Sequence, residues 1–475
     1  MKALLLNPVL RDGTPSLRIG RCQGRVLVGL WPNIEHGILA ALLVREGFDV
    51  RLLDANQERL SFEEMIARVL REAPDLVFLL GITASLEDDL EAARRIREAL
   101  PATWVAFWGT HATVRPEDYL GPDRTVALRR EPEVTGLQWA MAVRSGARSF
   151  EDVPGVSWSA GGLPRHAPDR PFAPDLDALP LPDHEAMRTG THRAADTRRP
   201  FALVKTSRGC PFQCVFCTTH AFHGAAWRAR SPEAIADEVA FLRRSRGVGD
   251  FFLQSDVFSR DRDWTLALME ALGRKAPGIS WFSNSRVDTV DREVLRAMKG
   301  SGCRLLAFGV ESGSDAVLRA SRKGTTADRA RQALAWCREA GIPSLTYWVF
   351  GLPGETPDTM EETLRFIDEV HPDYAHFYTP TPLPGSRLFE EWRIAEAVRS
   401  GEVRWSDFFQ GVTRRFLAPG VTREQVNRVV HRAYLSFYTN PRRVLREMLR
   451  LRDPAMLEGR ARTVIDMVRN YAMKR

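Results

Sequence analysis

The segment Cys210-Pro-Phe-Gln-Cys214-Val-Phe-Cys217 spaces three thiols as C-x3-C-x2-C. The apolar and β-branched residues of 201–206 before it predict a short buried strand, and Ser207-Arg-Gly209 predicts a turn. Thiolates are the ligands of iron–sulfur clusters and of zinc, and a loop lets three of them converge. A cluster that only carries electrons normally has four cysteine ligands. Three ligands therefore predict a [4Fe–4S] cluster with one iron open to another molecule.

Zinc is the alternative occupant of this loop. His220 or His223 would be the fourth ligand, because Cys214-x2-Cys217-x2-His220 is a tolerable spacing. Structural zinc sites usually contain two pairs of ligands, and no second pair follows downstream. The cluster is therefore the preferred interpretation, with zinc left open.

Length and composition are those of a globular protein with more than one domain. The 475 residues allow two to three domains, and 44% hydrophobic and 27% charged residues are ordinary values. Cys22, Cys303 and Cys337 are scattered singly, so no disulfide framework is expected. The apolar run at 1–7 is too short for a signal peptide, and no apolar window is long enough to span a membrane. We therefore expect a soluble, cytoplasmic protein.

Residues 1–148 alternate between apolar strands and amphipathic helices. Strands are predicted at 2–6, 49–53, 76–82 and 104–108, and helices at 34–45, 61–72, 86–100 and 132–143. This alternation predicts an α/β domain with a doubly wound, Rossmann-like parallel sheet. Proline and glycine are frequent over 149–200, which predicts an ordered linker, although 155–159 is compatible with one strand of a small hairpin.

A second alternation begins at residue 201. Strands are predicted near 201–206, 249–254, 279–285, 303–310, 343–350 and 373–378. Helices are predicted between them at 231–246, 262–275, 291–300, 326–340 and 357–369. Ser231-Pro232 is a typical start for the first of these helices.

The cysteine segment, with Phe216 just before its third cysteine, resembles the signature of the radical S-adenosylmethionine (SAM) superfamily. In that superfamily SAM binds the open iron. The six βα units of residues 201–390 resemble its partial (β/α)6 TIM barrel, whose site lies at the carboxyl ends of the strands. Motifs such as Glu311-Ser-Gly313 and Gly351-Leu-Pro-Gly-Glu355 stand at those ends in the family's order. The resemblance implies SAM contacts at Phe216, Gln254, Asp256, Arg286, Glu311, Ser312, Gly351 and Pro353.

The first domain resembles the cobalamin-binding domain that precedes the barrel in one large class of radical SAM enzymes, known as class B. Trp108-Gly-Thr-His-Ala-Thr113 and Pro116-Glu117 match its Gly-Gly-x-His-Ala-Thr and Pro-Glu, with Trp108 in place of the first glycine. The family's Gly-Glu-x-Glu appears as Arg130-Glu-Pro-Glu133. No Asp-x-His-x-x-Gly motif is present, which implies a corrin held without a histidine ligand. The implied cobalamin contacts are Thr83, Ser85, Gly109, Thr110 and His111.

Residues 391–475 are predicted to form a helical domain, with apolar residues at helical spacing over 426–437 and 444–451. Residues 401–475 carry a net charge of +9, against −2 for the rest of the chain. We interpret this surplus as solvated helix faces; a patch for an anionic substrate, a redox partner or nucleic acid is the alternative. Five aromatic residues are interpreted as helical-cap packing on the barrel, with a substrate pocket as the alternative: Trp405, Phe408, Phe409, Tyr434 and Phe437.

The resemblance implies a cobalamin-dependent radical SAM methyltransferase. A 5′-deoxyadenosyl radical would abstract hydrogen from an unactivated centre of a small-molecule substrate, which then receives a methyl group from methylcobalamin. The first alternative is an enzyme with the same cofactors that catalyses a non-methylating radical cyclisation, ring contraction or rearrangement. The second is a non-catalytic Fe–S or zinc RNA-binding protein.

The chemistry implies a flavodoxin or ferredoxin-type reductant. A nucleic-acid substrate is not expected, because no added nucleic-acid domain is recognisable and only Cys22 precedes the cysteine segment. Methylthiotransferases, which modify RNA, carry three further cysteines in that region. The sequence predicts no catalytic side chain, no particular substrate and no oligomeric state.

Overall fold

The chain folds around two large β-sheets with helices packed against them. The computed structural model describes residues 1–19, 22–25, 31–121, 124–194, 197–410, 415–441 and 443. The strands are, in chain order, β1 Lys2–Asn7, β2 Ser16–Ile19, β3 Cys22–Arg25, β4 Asp49–Asp54, β5 Leu76–Leu80, β6 Trp104–Trp108, β7 Thr125–Leu128, β8 Val156–Ala160, β9 Leu163–His166, β10 Phe201–Lys205, β11 Ser207–Arg208, β12 Arg228–Ala229, β13 Asp250–Gln254, β14 Ser280–Ser285, β15 Cys303–Glu311, β16 Ser344–Val349 and β17 Tyr374–Tyr378.

Helices connect most of these strands. The α-helices are α1 Ile34–Arg45, α2 Phe62–Glu72, α3 Leu86–Ala99, α4 Thr110–Val114, α5 Pro132–Arg144, α6 Thr219–His223, α7 Pro232–Arg246, α8 Arg262–Lys275, α9 Arg292–Gly300, α10 Asp315–Ala320, α11 Ala327–Glu339, α12 Pro357–Val370, α13 Arg387–Glu391, α14 Ile394–Arg399 and α15 Arg423–Tyr438. Short 3-10 turns lie at Thr83–Ser85, Pro116–Tyr119, Val287–Thr289 and Trp405–Phe408. Within the described ranges, no helix is both long and apolar enough to cross a membrane.

The first sheet has the strand order β4-β1-β5-β6-β7-β8-β9. Its first five strands are parallel, and successive side chains of each strand point to opposite faces. Leu5 and Phe78 pack against α1 and α5, whereas Leu6 and Leu79 pack against α2 and α3. Both faces are therefore covered, which confirms the predicted doubly wound, Rossmann-like domain.

β7 and the hairpin β2–β3 of this region were not predicted as strands, whereas the possible hairpin strand at 155–159 is confirmed as β8. β7 has only four residues, too few to show a periodicity, and the β2–β3 hairpin has polar residues at both of its strands. The hairpin β8–β9 lies within the predicted linker and pairs antiparallel with β7, so it extends the first sheet. The boundary between the first domain and the linker is thus not a break in the sheet.

The second sheet is an open, six-stranded parallel sheet with the order β10-β13-β14-β15-β16-β17. All six strands and all five helices predicted for the partial barrel are confirmed, with ends shifted by a residue or two. Ser231 caps α7 by accepting a hydrogen bond from Ala234 N at 3.3 Å. The carboxyl ends of the strands lie on one side of the barrel, where the predicted site residues stand.

The C-terminal helix α15 packs on the outside of the barrel. Tyr434 and Phe437 lie 4.9 and 6.0 Å from the ring of Phe377 in β17, and the Tyr434 hydroxyl donates to Phe377 O at 3.2 Å. These contacts agree with the cap interpretation for Tyr434 and Phe437. The predicted helix at 444–451 and much of the basic surplus lie outside the described residues.

Candidate active site

The carboxyl edges of the two sheets face a common cavity, which is partly open to solvent. The first sheet contributes Gly81 and the 108–110 segment to its wall. The barrel contributes Gln254, Asp256 and Asn284. Residues predicted from separate motifs therefore meet at one place.

The cysteine loop follows β10 at the mouth of the barrel. Cys210 is buried, whereas Cys214 and Cys217 are partly exposed. Its backbone is held from both sides, because Val215 N–H donates to Ser321 O at 3.1 Å and Leu388 N–H donates to Val215 O at 2.8 Å. A fixed backbone with partly exposed thiols fits the three-cysteine ligand set of an iron–sulfur cluster.

Gly209 lets the chain enter this loop. Its φ of +85° is disfavoured for other residues, and a Cβ atom here would lie 2.0 Å from Ala226 O. Its N–H donates to the Asp256 carboxylate at 2.8 Å. The predicted SAM contact Asp256 therefore also anchors the first residue before Cys210.

Both histidines of the zinc alternative have other partners. His220 Nε2 lies 2.6 Å from Cys210 O, and His223 Nδ1 lies 2.8 Å from the Asp256 carboxylate. Among the residues that the structure describes, no group of three His, Cys, Asp or Glu side chains is arranged to hold a single metal ion. His223 Nε2 is buried without a hydrogen-bond partner and its ring lines the cavity.

Arg286 lies beside the cysteine loop. Its guanidinium stands 3.6 Å from the centre of the Phe212 ring, and Nη1 donates to Cys214 Sγ at 3.7 Å. Asp288 accepts from Nε and Nη2, both at 2.8 Å, and Lys323 O accepts from Nη2 at 2.7 Å. Arg286 is therefore bound to the loop that carries the thiols. Whether it also contacts SAM stays a prediction.

A second buried cation flanks the loop. Lys323 Nζ donates to Glu311 Oε1 at 2.8 Å and lies 5.9 Å from the centre of the Phe216 ring. Glu311 has a φ of +72°, an unusual backbone conformation for this residue, at an irregularity in β15. Lys323 was not predicted as a site residue, because it follows α10 in a segment without a recognisable motif.

The other predicted SAM contacts are spread along the same edge. Ser312 Oγ shares a hydrogen bond with Thr363 of α12 at 3.0 Å. Gly351 N donates to Glu355 at 3.2 Å, and Glu355 is buried while Pro353 is partly exposed. Burial raises the pKa of Glu355 to about 7. These residues line up at the ends of β15 and β16, and their contacts with SAM remain predictions.

At the first-sheet edge the predicted cobalamin contacts are buried. The hydroxyl of Ser85 donates to Asp89 at 2.8 Å, and Arg18 Nη1 donates to the same carboxylate at 2.7 Å. Burial raises the pKa of Asp89 to about 6, even though Arg18 and Ser85 stabilise its charge. Arg18 Nη2 is buried without a hydrogen-bond partner and Arg18 lines the cavity, so this edge keeps a donor for a bound group.

His111 is enclosed in the same edge. Its ring nitrogens lie 3.1 Å from Thr83 Oγ1 and 3.1 Å from the Asp118 carboxylate. Burial lowers the pKa of His111 despite Asp118, so the neutral ring is favoured. Trp405 lies edge-on to His111 with ring centres 4.9 Å apart, so its side chain packs on the first sheet as well as on the cluster around Leu383 and Phe389.

Gly109 and Trp108 determine how closely a ligand can approach the backbone at the end of β6. Gly109 has a φ of +122°, and a Cβ atom there would lie 2.4 Å from Gly81 O. Trp108, which replaces a glycine of the family pattern, directs its indole N–H to His36 Nε2 at 2.9 Å in α1. The bulk of Trp108 is therefore largely accommodated in the first-domain core. The glycine backbone and the Arg18 donor fit a large ligand such as a corrin.

Buried ion pairs connect the two sheets. Glu35 of α1 accepts from Lys205 of β10 at 2.8 Å; burial alone would raise the pKa of Glu35, but Lys205 and Arg208 lower it to about 2. Arg208 pairs with Glu133, and Arg228 pairs with Glu131 at 2.6 Å. The Arg130-Glu-Pro-Glu133 segment therefore holds β11 and β12, which flank the cysteine loop.

Aromatic rings fill the barrel below the cavity. Phe252 and Phe282 stack with ring centres 4.6 Å apart, and Trp31 of the first domain lies 4.7 Å from Phe252. Tyr347, His376 and Tyr378 form a second set of rings on β16 and β17, with centres 5.8 to 6.2 Å apart. Trp31 carried no sequence signal, because a single aromatic residue in a loop is not a motif.

Two family models match the chain. The radical SAM superfamily model matches residues 204–367, and the B12 binding domain model matches residues 20–135. The first match covers most of the barrel, and the second covers most of the first sheet. Together they include the cysteine loop and both strand ends at which cobalamin contacts were predicted.

Relatives align over most of the chain. An uncharacterized methyltransferase of Pyrococcus horikoshii is 29% identical over 426 residues, which are 89% of this chain and 91% of that protein. The anaerobic magnesium-protoporphyrin IX monomethyl ester cyclase of Rubrivivax gelatinosus is 27% identical over 400 residues, 82% of this chain and 70% of that protein.

A solved structure shows the same fold. It is the radical SAM methyltransferase TsrM from Kitasatospora setae with cobalamin and a [4Fe–4S] cluster bound. The TM-score is 0.68 at 18% identity, and the match covers 84% of this chain and 79% of that one.

Proposed function

The chain belongs to the radical SAM enzymes that carry a B12-binding domain, and from this premise we propose that it is a cobalamin-dependent radical SAM methyltransferase acting on a small molecule. One observation carries the proposal. The edge of the first sheet and the strand ends of the barrel at Gln254 and Asp256 line the same cavity, and Asp256 also accepts from Gly209 N at the entry to the cysteine loop. A corrin at the first edge and a cluster on that loop would therefore act on one substrate.

In the proposal, Cys210, Cys214 and Cys217 hold a [4Fe–4S] cluster, and the edge formed by Gly109 and Arg18 holds cobalamin. Together with SAM, these groups supply one-electron cleavage of SAM and the transfer of a methyl group through cobalt. A flavodoxin or ferredoxin-type protein would deliver the electron. The protein's own part is to position the groups and to exclude water.

Several side chains serve these tasks. Asp256 fixes the entry to the cysteine loop through Gly209 N and holds Nδ1 of His223, a cavity-lining residue whose buried Nε2 has no hydrogen-bond partner. Trp31, Phe252 and Phe282 form an apolar floor that excludes water from the barrel. The pairs of Glu35 with Lys205 and of Glu133 with Arg208 hold the first domain against the barrel.

A non-methylating cyclase is the second candidate, and the Rubrivivax gelatinosus relative favours it. The alignment covers 70% of that cyclase, against 91% of the Pyrococcus horikoshii methyltransferase. The fuller match supports methylation. The non-catalytic RNA-binding alternative is not supported, because this is a radical SAM enzyme.

The test begins with protein produced anaerobically with cobalamin supplied. We expect about four irons and four sulfides per chain and near-stoichiometric corrinoid. Small molecules are then screened for the label of methyl-labelled SAM. Four irons without corrinoid would overturn the methyltransferase proposal. Corrinoid with formation of 5′-deoxyadenosine but no methylated product, on a substrate that is consumed, would support the cyclase.

A further inference from the structure

Arg286 has a position that a SAM contact alone does not explain. Four of its five N–H groups are engaged, two by Asp288, one by Lys323 O and one by Cys214 Sγ. The side chain is buried, and the Phe212 ring covers one face of the guanidinium at 3.6 Å. The guanidinium is thus fixed against the thiol loop before any ligand is added.

We propose that Arg286 is a positioning residue that sets the reduction potential of the cluster through an N–H···S hydrogen bond to Cys214, with Asp288 as its counter-charge. The proposal rests on the proposed function, because it requires that Cys214 ligates a cluster. The geometry is already present among the chain's own side chains.

The physical argument starts from the charge that reduction adds. One electron from an external donor adds one negative charge to the cluster and its thiolates, and no bond to the protein breaks. N–H donors and positive charges near a cluster sulfur stabilise that charge and raise the potential. The guanidinium is planar and permanently charged, so it donates in a fixed direction at every accessible pH.

Asp288 has the opposite effect on the reduction potential of the cluster. Its carboxylate accepts two hydrogen bonds from Arg286 at 2.8 Å and so orients the fork toward Cys214, but its negative charge opposes reduction. Lys323, the other nearby cation, is paired with Glu311 at 2.8 Å. Arg286 is therefore the cation whose removal changes both the charge and the hydrogen bond at the sulfur.

Substitutions of Arg286 and Asp288 are expected to shift the midpoint potential in opposite directions, which a merely structural role would not produce. Arg286→Gln is expected to lower the midpoint potential of the cluster, and Asp288→Asn is expected to raise it. Arg286→Lys keeps the charge without the fork and should fall between wild type and Arg286→Gln. Arg304→Gln is the matched control, because Arg304 lies at the amino end of β15, away from the loop.

The experiment is an anaerobic redox titration of the reconstituted full-length protein without SAM, followed by the electron paramagnetic resonance signal of the reduced cluster. Opposite shifts for Arg286→Gln and Asp288→Asn, with Arg304→Gln unchanged, support the proposal. Unchanged potentials in both variants overturn it, as do shifts of the same sign. A lowered SAM affinity of Arg286→Gln at an unchanged potential would assign Arg286 to SAM binding instead. Protein that assembles no cluster in any variant, wild type included, fails the proposed function itself.

Discussion

The carboxyl edges of the two sheets face one cavity but are built differently. At the first-sheet edge, Thr83, Ser85 and His111 are almost fully buried, and their polar atoms bond to neighbours of the same domain. At the barrel edge, Cys214 and Cys217 stay partly exposed while the backbone that carries them is fixed. The first edge therefore offers a ligand mainly its backbone at the glycines, whereas the second edge offers reactive thiol side chains.

This difference indicates how each edge recognises its partner. A large ligand on the first edge would be selected by fit to the backbone around Gly81 and Gly109 and by the Arg18 donor. A metal cluster on the second edge depends on the thiols, because cysteine thiolates are the ligands that hold Fe–S clusters. Side-chain changes should therefore affect bound iron most at the barrel and protein stability most at the first sheet.

The largest effect is expected for Cys214→Ala. This change removes one of three ligands, so bound iron and sulfide and all cleavage of SAM should be lost. Cys303→Ala is the control, because burial raises the pKa of Cys303 and keeps it a thiol within the core. Iron analysis of both anaerobic preparations checks this. Full iron in Cys214→Ala would mean that the exposed thiols are not the ligands.

Asp89→Ala tests whether the first edge is a self-contained polar network. The change leaves the buried guanidinium of Arg18 without its carboxylate, which should lower the free energy of unfolding by about 3–5 kcal/mol. Glu293→Ala removes the exposed partner of Arg262 and should have little effect. Denaturant unfolding at pH 8, where Asp89 is ionised, measures both. Equal effects would show that the Arg18–Asp89 pair adds nothing beyond a surface contact.

Glu355 provides the counterpart at the barrel edge, a buried carboxyl group that no described arginine or lysine pairs with. Its folded pKa of about 7 lies above its ordinary value of 4.5, so its contribution to stability is complete below pH 4.5 and is lost as pH rises to 7. The loss should reach about 3 kcal/mol above pH 7. Unfolding experiments between pH 5 and 8 should show this slope in wild type and a flatter one in Glu355→Gln. An identical slope would contradict the assignment.

The smallest effect is expected for Ser85→Ala. Loss of the hydroxyl hydrogen bond to Asp89 should cost about 1 kcal/mol, while corrinoid content should stay unchanged because that hydroxyl is already engaged within the domain. Thermal unfolding and corrinoid analysis of the same preparation measure the two quantities. Corrinoid lost at unchanged stability would show that Ser85 contacts the ligand directly, as the sequence predicts.

Sequence patterns predicted the regular elements well, because strands such as Trp104–Trp108 are continuous apolar runs and helices such as Pro232–Arg246 have clear caps. They failed for β7 and for the hairpin β2–β3, where short length or polar residues hide the strand. They allowed a hairpin strand at 155–159, which is β8, but they did not place it in the first sheet, since pairing with β7 is a tertiary contact that local sequence does not encode.

For the site, sequence position identified the edge but not the partner of each side chain. The motif order placed Asp256 and Arg286 at strand ends, which the structure confirms. That Asp256 anchors Gly209 and that Arg286 contacts Cys214 depends on how loops from distant parts of the chain meet. Lys323 and Trp31 could not be predicted from motif order, because their roles depend on contacts between distant parts of the chain.

The buried pairs of Glu131 and Glu133 with Arg228 and Arg208 have a consequence for protein engineering. The glutamates of the first domain neutralise the arginines of the barrel, so neither domain can be exchanged on its own. A chimera that joins this barrel to a B12-binding domain from another protein would leave two arginines buried without counter-ions unless the Glu-Pro-Glu segment came with the barrel. Chimeras between relatives should therefore fold when the two glutamates and the two arginines of these ion pairs come from the same parent protein.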